Sequence, residues 1–398
     1  MRPFVATTLA AIVVSACHGA RPAPPAPVST GIPAAPPATL GFDSVALDSV
    51  VAYLRTQVDS AFPGATVAVG RHGRMALLAA VGHYAAGDPR PVTPQTLYDL
   101  ASLTKVVGWT TACMQLVDRG LLDLDAPVSR YVPAFRGPLK DRVTIRNLLT
   151  HTAGFPPDLP LWQDTKTRDQ AFALADTAPL ARPPGEAYVY SDVSAIVGEQ
   201  VVEHITGERL DRYLAEHVFG PLGMTATRYL PPASWKPMIA PTEVDTILRH
   251  KLLWGEVHDE SADRLGGVSG NAGLFSNAPD LSRFAAMLLA GGAWDSLTIV
   301  HAETVAEFTR RQDLPPGSSR ALGWDTPSPP SSSGTRMTGQ AFGHTGFTGT
   351  SIWIDPGRDL FVILLSNRVN PTRANLRIAR VRPHVADLVA QALTHPEL

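Results

Sequence analysis

Ser102 and Lys105 are the two residues whose types and spacing most directly suggest chemistry. They stand in Leu-Ala-Ser-Leu-Thr-Lys, which opens a stretch with a helical pattern, and residues three apart on a helix share one face. A serine hydroxyl becomes a good nucleophile when a base removes its proton, and a lysine amine can be that base if burial lowers its pKa. The chain has only five lysines, and Lys105 alone follows a serine at this spacing. The pair predicts a nucleophile and its base; an N-cap serine beside a solvated lysine is the alternative.

A second candidate segment is Tyr-Val-Tyr-Ser-Asp, residues 188–192, between a Pro-Pro-Gly turn and a predicted helix over 193–206. A loop that ends just before a helix can present a phenol into a cleft. The hydroxyl of Tyr190 could relay protons between Ser102 and a leaving group, and Asp192 could hold Lys105 by charge and hydrogen bonding. The alternative is a packed tyrosine beside an N-cap aspartate.

The third candidate segment is Gly-His-Thr-Gly-Phe-Thr-Gly, residues 343–349, at the start of a predicted strand. Its glycines let a backbone come close to a substrate, and an edge strand can pair with a peptide-like ligand while directing an N–H at a developing oxyanion. The expected substrate-binding residues here are His344, Thr345, Gly346 and Phe347. A glycine-rich turn into a buried strand is the alternative.

Together, the three segments resemble the Ser-x-x-Lys, Tyr-x-Asn and Lys-Thr-Gly boxes of the serine β-lactamase and penicillin-binding protein superfamily. The resemblance extends from about Phe42 onward and is greatest to the class C β-lactamase and low-molecular-mass DD-peptidase branch, which includes esterases. It implies that Ser102 is acylated, that Lys105 and Tyr190 handle protons, and that the backbone N–H groups of Ser102 and Phe347 form the oxyanion hole. It implies no metal and no organic cofactor.

Two residues depart from that pattern: Asp192 stands where class C β-lactamases usually have asparagine, and His344 where they usually have lysine. A carboxylate cannot donate the hydrogen bond that an amide gives to a substrate carbonyl unless it is protonated. A histidine near its unperturbed pKa of about 6.5 is mostly neutral at pH 7 and offers no fixed charge to a substrate carboxylate. Both departures disfavour efficient β-lactam hydrolysis.

The elements that position these residues follow from hydrophobic periodicity. An amphipathic helix is predicted from Val45 to Val58, strands over 65–70 and 75–81, strand signals over 342–355 and 360–367, and a last helix over 375–393. The region from about 102 to 291 is mostly helical in pattern. We therefore expect an α/β (α+β) fold over residues 42–398, in which both termini build one antiparallel sheet flanked by helices and the middle is an inserted all-helical subdomain. The resemblance implies the same architecture.

The first residues indicate export. Arg2 precedes an apolar run too short to span a bilayer, and Val-Ser-Ala-Cys, ending at Cys17, resembles the lipobox of bacterial lipoproteins. We expect a signal peptide over 1–16, lipidation of Cys17 and a Pro/Ala-rich tether over 17–41. This places the protein in the cell envelope, held to a membrane by its lipid; an ordinary cleaved signal is the alternative.

Net charge and residue spacing argue against three other functions. A formal net charge of −2 gives no basic surface that would attract a nucleic acid, so a nucleic acid is not an expected partner. His258 and Asp259 are adjacent and have no evident third metal ligand, so a structural role is expected for them. Glu256 and Asp259 lack the spacing argument that a glycosidase would need.

The expected function is a serine hydrolase that acts through an acyl-enzyme on D-alanyl peptides or small esters. The alternatives are a class C-like β-lactamase and a non-catalytic lipoprotein that binds peptidoglycan or β-lactams. The few residues that separate these activities leave the choice open at this stage.

Overall fold

The computed structural model describes residues 28–157 and 159–395. The strands in these ranges are β1 (Gly64–Arg71), β2 (Arg74–Gly82), β3 (Tyr98–Asp99), β4 (Arg228–Tyr229), β5 (Leu274–Ser276), β6 (Ala293–Trp294), β7 (Leu297–Thr298), β8 (Phe342–Thr345), β9 (Ser351–Asp355) and β10 (Leu360–Ser366). The α-helices are α1 (Ser44–Gln57), α2 (Thr111–Asp118), α3 (Ile145–Leu149), α4 (Leu161–Asp164), α5 (Arg168–Thr177), α6 (Asp192–Thr206), α7 (Leu210–Leu214), α8 (Glu260–Arg264), α9 (Ala278–Leu289), α10 (Ala302–Thr309) and α11 (Ile378–Gln391). A π-helical segment, Lys105–Thr110, runs directly into α2.

The main sheet has five antiparallel strands in the order β2-β1-β10-β9-β8. Two strands come from the start of the chain and three from its end, and β1 pairs with β10 in a register that places Val67 opposite Leu364. The prediction that both termini build one sheet is confirmed. It places β8, with its glycine-rich segment, at one edge of the sheet.

Helices cover both faces of this sheet. One face packs against α1 and α11 through apolar residues that include Leu47, Val50, Leu54, Val67, Val69, Val362, Leu364, Val381, Val385 and Val389. The other face, which includes Ala68, Ile363 and Leu365, joins a second core with Phe284 of α9. Because successive strand residues point to opposite faces, both faces of β1 and β10 are apolar, and both strands are buried along their whole length. The predicted fold class is confirmed.

The inserted region supplies the other wall of the site. It contains α2 to α8 and a short sheet in the order β3-β5-β4. The predicted end of the insertion near residue 291 is too late, because α9 contacts β1, β9 and β10 and belongs to the helical layer over the main sheet. An amphipathic pattern reveals that a helix has one apolar face, but not which partner covers it.

The predicted strand region 342–355 is divided into β8 and β9 by a tight turn over residues 346–350. Gly346 N–H donates to the carbonyl of Thr350, and Gly349 has a φ of +118°. A Cβ at Gly349 would lie 2.2 Å from Ser366 Oγ, so the turn requires glycine there on both conformational and steric grounds. The sequence pattern predicted one strand region here because strand-forming residues stand on both sides of the turn.

The predicted tether over residues 17–41 is wrong for the part that the structure describes. Residues 28–41 pack on the domain: Met75 N–H donates to Pro33 O at 2.9 Å, Ala35 N–H donates to Met75 O at 3.0 Å, and Ile32 is 4% exposed. Proline lacks an N–H, but its carbonyl still accepts, so a Pro-rich strand can run along the edge of β2. The signal peptide over 1–16, Cys17 and residues 18–27 lie outside the described residues. No helix that the structure describes has the length and apolarity needed to cross a membrane.

Candidate active site

The three predicted segments meet at a cavity of about 370 Å³ between the β8 edge of the sheet and the inserted region. Of the residues expected from the sequence, Ser102, Tyr190, His344, Thr345, Gly346 and Phe347 line it. Seven further residues also line it: Tyr188, Arg320, Asp325, Ser332, Trp353, Arg368 and Arg382. Lys105 is fully buried and contacts two of the lining residues, Ser102 and Tyr190.

Ser102 lies in a turn that leads into the π-helical segment. The preceding Ala101 has a φ of +47°, an uncommon conformation for a residue with a side chain, and its N–H donates to Asp99 Oδ1 at 2.8 Å. One helical turn later, Lys105 Nζ donates to Ser102 Oγ at 3.0 Å. The contact that the Ser-x-x-Lys spacing predicts is therefore present.

Lys105 rests as an ammonium group. Its Nζ lies 2.6 Å from Asp192 Oδ1 and donates to the carbonyl of Asn271 at 3.0 Å. Burial by itself lowers the pKa of Lys105, but the Asp192 carboxylate and Tyr190 outweigh burial and raise the pKa above its ordinary value. The lowered pKa that would make Lys105 a ready base is thus not present in the resting protein. The sequence indicated that Asp192 could hold Lys105 by charge and hydrogen bonding, and the family resemblance placed it among the substrate-binding residues. It makes the ion pair with Lys105 and is not among the residues that line the cavity.

Tyr190 lies between two histidine rings. Its ring centroid is 4.6 Å from that of His151 and 6.0 Å from that of His344, while Lys105 Nζ lies 5.1 Å from the Tyr190 ring. Burial, followed by the charges of Arg320 and Lys105, holds the pKa of both histidines well below 6.5. Two neutral imidazoles therefore flank the phenol, and the local positive charge belongs to Lys105 and Arg320.

His344 is buried and its orientation is defined. Its Nδ1 lies 2.8 Å from the carbonyl of Thr345, and because a carbonyl only accepts, Nδ1 carries the proton. A neutral ring with a proton on Nδ1 keeps a lone pair on Nε2. With its pKa lowered by burial, His344 offers an acceptor where the related boxes have a cation.

Two backbone donors suit a developing oxyanion. Among the hydrogen bonds of the described residues, none uses the N–H of Ser102 or of Phe347. The loop of Phe347 is fixed by arginines: Arg368 Nε donates to the Phe347 carbonyl at 2.7 Å, and an Arg382 NH2 group donates to the carbonyls of Gly346 and Thr350 at 2.5 and 2.8 Å. Preorganised donors of this kind stabilise charge that appears during reaction.

Sequence reasoning missed Arg320, a buried cation in the cavity wall. One of its NH2 groups donates to Gly323 O at 2.9 Å, its Nε has no hydrogen-bond partner, and no ion pair among the described residues includes it. Its guanidinium carbon lies 5.7 Å from the centre of the Tyr188 ring. Arg320 follows a loop far from the three motifs in sequence, and with arginines so common in this chain no local signal marks it. Asn271 was missed as well, because it contacts Lys105 through its backbone carbonyl.

His258 and Asp259 contact other parts of the protein. His258 Nε2 lies 2.8 Å from Glu243 Oε2, and Asp259 Oδ1 accepts from Ala262 N–H at the start of α8. In the part of the chain that the structure describes, the group of three side chains that could hold a metal is Glu208, Glu216 and His217, and none of them lines the cavity.

Comparison with known proteins agrees with this geometry. The sequence model of the family described as Beta-lactamase matches residues 49–386. A protein of Salmonella schwarzengrund (strain CVM19633), named "Putative D-alanyl-D-alanine carboxypeptidase", is 33% identical over 388 residues, a match that covers 88% of each chain.

Solved structures share the fold at lower identity. A penicillin-binding protein homologue from Caulobacter crescentus has a TM-score of 0.71 at 22% identity, covering 88% of this chain and 97% of its own. EstCE1, a hydrolase with promiscuous acyltransferase activity, has a TM-score of 0.70 at 23% identity and coverages of 87% and 99%. A class C β-lactamase has a TM-score of 0.69 at 20% identity and coverages of 88% and 96%. These likenesses establish the fold and leave the substrate open.

Proposed function

Because the chain belongs to the β-lactamase family of serine hydrolases, we propose that it is a carboxypeptidase that removes the last residue from peptides ending in D-alanyl-D-alanine, through an acyl-enzyme on Ser102. The observation that carries this proposal is that Arg320, which has no ion-pair partner among the described residues, lines the same cavity as Ser102. A peptide substrate of a carboxypeptidase ends in a carboxylate, whereas a simple ester does not.

Of the three arginines that line the cavity, Arg320 is the one that does not hold the loop of Phe347. Arg382 already donates to two loop carbonyls, and Arg368 donates to three backbone carbonyls. Arg320 donates to Gly323 O and contributes a hydrogen bond to Tyr188, and no ion pair among the described residues includes it. A guanidinium without a carboxylate partner in the protein matches a substrate carboxylate well, and it replaces the charge that a lysine at position 344 would supply.

In the proposed reaction, Ser102 Oγ attacks the carbonyl carbon of the penultimate residue, and the N–H groups of Ser102 and Phe347 stabilise the oxyanion. The Ser102 proton passes towards Lys105, which must release one of its own protons because it rests charged, and the carboxylate of Asp192 at 2.6 Å is the neighbour that can receive it. Cleavage of the C–N bond releases D-alanine, whose amine takes up the proton. Water then hydrolyses the Ser102 ester and regenerates the hydroxyl.

A matched pair of peptides tests the role of Arg320. N-acyl-L-Lys-D-Ala-D-Ala and the same peptide with a C-terminal amide differ only in the charged end, and release of the last residue is followed by mass spectrometry. A charge-assisted hydrogen bond contributes about 1.5–3 kcal/mol, so kcat/KM for the amide should be at least about 10-fold lower. Arg320→Gln should remove this difference and Arg320→Lys should keep part of it. Equal kcat/KM values for both peptides in the wild type would reject the proposal.

Hydrolysis of small esters is the second candidate. It is favoured by the neutral His344 in the same cavity as Ser102, because this position offers no positive charge to a substrate carboxylate. A p-nitrophenyl ester and a chromogenic cephalosporin, assayed beside the peptide pair, separate the activities. Preferred turnover of the ester or the cephalosporin would assign an esterase or a β-lactamase. Covalent labelling without turnover of any of these compounds would favour a binding lipoprotein.

For localisation, the proposal is a lipid-anchored protein of the cell envelope, supported by the Val-Ser-Ala-Cys sequence that ends at Cys17. Metabolic labelling with a palmitate analogue should depend on Cys17. A Cys17→Ser protein that still partitions with membranes would contradict lipidation.

A further inference from the structure

The dipeptide His258–Asp259, which precedes α8, contacts residues on three sides of the catalytic centre without lining the cavity. Its contacts are buried at His258 and half-buried at Asp259, and they do more than cap a short helix. Each of the three connections ends at a residue that either holds Lys105, precedes Ser102, or forms the loop of Phe347.

The first connection runs from Asp259 to Lys105. Asn271 is 1% exposed; its Nδ2 donates to Asp259 Oδ1 at 3.2 Å, and its carbonyl accepts from Lys105 Nζ at 3.0 Å. An ammonium group has three donors, and those of Lys105 face Ser102 Oγ, Asp192 Oδ1 and Asn271 O. The position of Asn271 therefore fixes one of the three directions that orient Nζ towards Ser102.

The second connection runs from His258 to the turn before Ser102. The N–H of His258 donates to Asp99 Oδ2 at 2.7 Å, and the other oxygen of Asp99 accepts from Ala101 N–H at 2.8 Å. Asp99 is 1% exposed, so its carboxylate is committed to these two donors. The left-handed conformation of Ala101, which sets the direction of Ser102, is thus tied to the backbone of His258.

The third connection runs from the His258 ring to the oxyanion loop. The ring centroids of His258 and Phe347 are 5.6 Å apart, and Glu243 fixes the imidazole through Nε2 at 2.8 Å. Thr348, the next residue in the loop, donates from Oγ1 to the carbonyl of Asp99 at 2.7 Å. His258 therefore contacts the loop of Phe347 through its ring, and Asp99, which its N–H binds, contacts the same loop through Thr348.

We propose that Asp259 is a positioning residue for acylation of Ser102, which holds Lys105 through Asn271, and that His258 couples this contact to the turn of Ala101 and the loop of Phe347. Reacting groups must be held within about 0.5 Å of the productive geometry, and displacement by about 1 Å can cost about 100-fold in rate. The proposal concerns acylation, so it applies whether the acyl donor is a peptide, an ester or a β-lactam.

The test measures the rate at which a fluorophosphonate inactivates the protein. This reagent reacts with the nucleophilic serine, so the result does not depend on which natural substrate the protein has. Asp259→Ala should lower the maximal inactivation rate at least about 10-fold and leave the half-saturating concentration within about 2-fold. Asp259→Asn keeps an oxygen that can accept from Ala262 and Asn271, and it should recover the rate to within about 3-fold of the wild type. Asp43→Ala is the matched control, because Asp43 caps α1 by accepting from two N–H groups outside the site.

Asn271→Ala keeps the carbonyl that binds Lys105 and removes only the side chain that Asp259 holds. It should reproduce the loss seen in Asp259→Ala, and the double variant should be no slower than either single variant, because both interrupt one connection. Additive losses, an unchanged maximal rate in Asp259→Ala, or a loss in Asp43→Ala as large as in Asp259→Ala would overturn the proposal. If Asp259→Ala does not fold, Asn271→Ala tests the proposal alone: a maximal inactivation rate at least about 10-fold lower supports it, and an unchanged rate overturns it.

Discussion

Replacing Asp192 by asparagine should move the pH dependence of serine acylation towards acid. Asp192 is the largest influence that raises the pKa of Lys105, against burial, which lowers it. Asparagine keeps an oxygen at the position that Lys105 Nζ contacts, so the hydrogen bond is retained while the charge is lost. The substitution therefore isolates electrostatics from geometry. It also restores the residue that the related Tyr-x-Asn box carries.

The magnitude follows from the distance of 2.6 Å between Lys105 Nζ and Asp192 Oδ1. Coulomb's law gives about 1.6 kcal/mol at the dielectric constant of water and about 6 kcal/mol at an effective value of about 20. The Asp192 side chain is 43% exposed, so solvent screening brings the interaction towards the lower figure. Since about 1.4 kcal/mol corresponds to one pH unit, the alkaline limb of the rate should move by at least about one pH unit.

The assay is the second-order rate constant for fluorophosphonate labelling, measured from pH 6 to pH 10.5. In the wild type, the raised pKa of Lys105 predicts a rate that is still rising in the alkaline range, because the free amine is scarce below it. In Asp192→Asn, the same rise should be complete at lower pH.

Asp325→Asn provides the matched control, since Asp325 lines the same cavity but is not among the groups that raise the pKa of Lys105. It should leave the midpoint of the limb unchanged. A limb in Asp192→Asn that coincides with that of the wild type would refute the conclusion that this carboxylate keeps Lys105 charged.

Two further predictions concern stability. His151 and His344 stay neutral because burial lowers their pKa well below 6.5, so below that pH only the unfolded chain takes up their protons and stability falls as the solution becomes more acidic. While both histidines stay neutral in the folded protein, they lower the free energy of unfolding by about 2.7 kcal/mol for each pH unit of acidification. Urea unfolding from pH 6.5 to 4.5 measures the slope of this free energy against pH, and His344→Asn should remove about half of the contribution of the two histidines. An unchanged slope would contradict the neutral assignment. Gly349→Ala should lower the free energy of unfolding by about 1–3 kcal/mol and slow the labelling of Ser102 by a fluorophosphonate. The added Cβ would be strained at a φ of +118° and would clash with Ser366 Oγ. Gly73→Ala, at a φ of +65° with no atom within 4 Å of the added carbon, is its control, and equal melting temperatures for the two variants would count against the steric argument.

The sequence revealed those parts of the fold and site that depend on local spacing. The contact of Lys105 with Ser102 follows from helical geometry over three residues, and the strands β1, β2 and β10 follow from apolar runs with clear turns. The sequence predicted a mostly neutral His344 from the ordinary pKa of a histidine, about 6.5, and burial lowers that pKa further.

Features that depend on long-range packing could not be predicted in this way. The sequence suggested that Asp192 holds Lys105, but not whether this carboxylate or burial decides the pKa of Lys105, because that depends on a separation of 2.6 Å that only the folded chain sets. Arg320 enters the cavity from a loop without a motif, and Asn271 acts through a carbonyl that any residue possesses. The packing of residues 28–41 on β2 was missed because composition indicates what a free chain would do and not which edge it meets.

The most direct test of the central claim is the intact mass of the purified protein after reaction with a fluorophosphonate. The wild type should gain the mass of one phosphonyl group, peptide mapping should locate it on Ser102, and Ser102→Ala should gain none. A Ser102→Ala protein that acquires the same adduct, or a wild-type adduct on another residue, would contradict the assignment of Ser102 as the nucleophile.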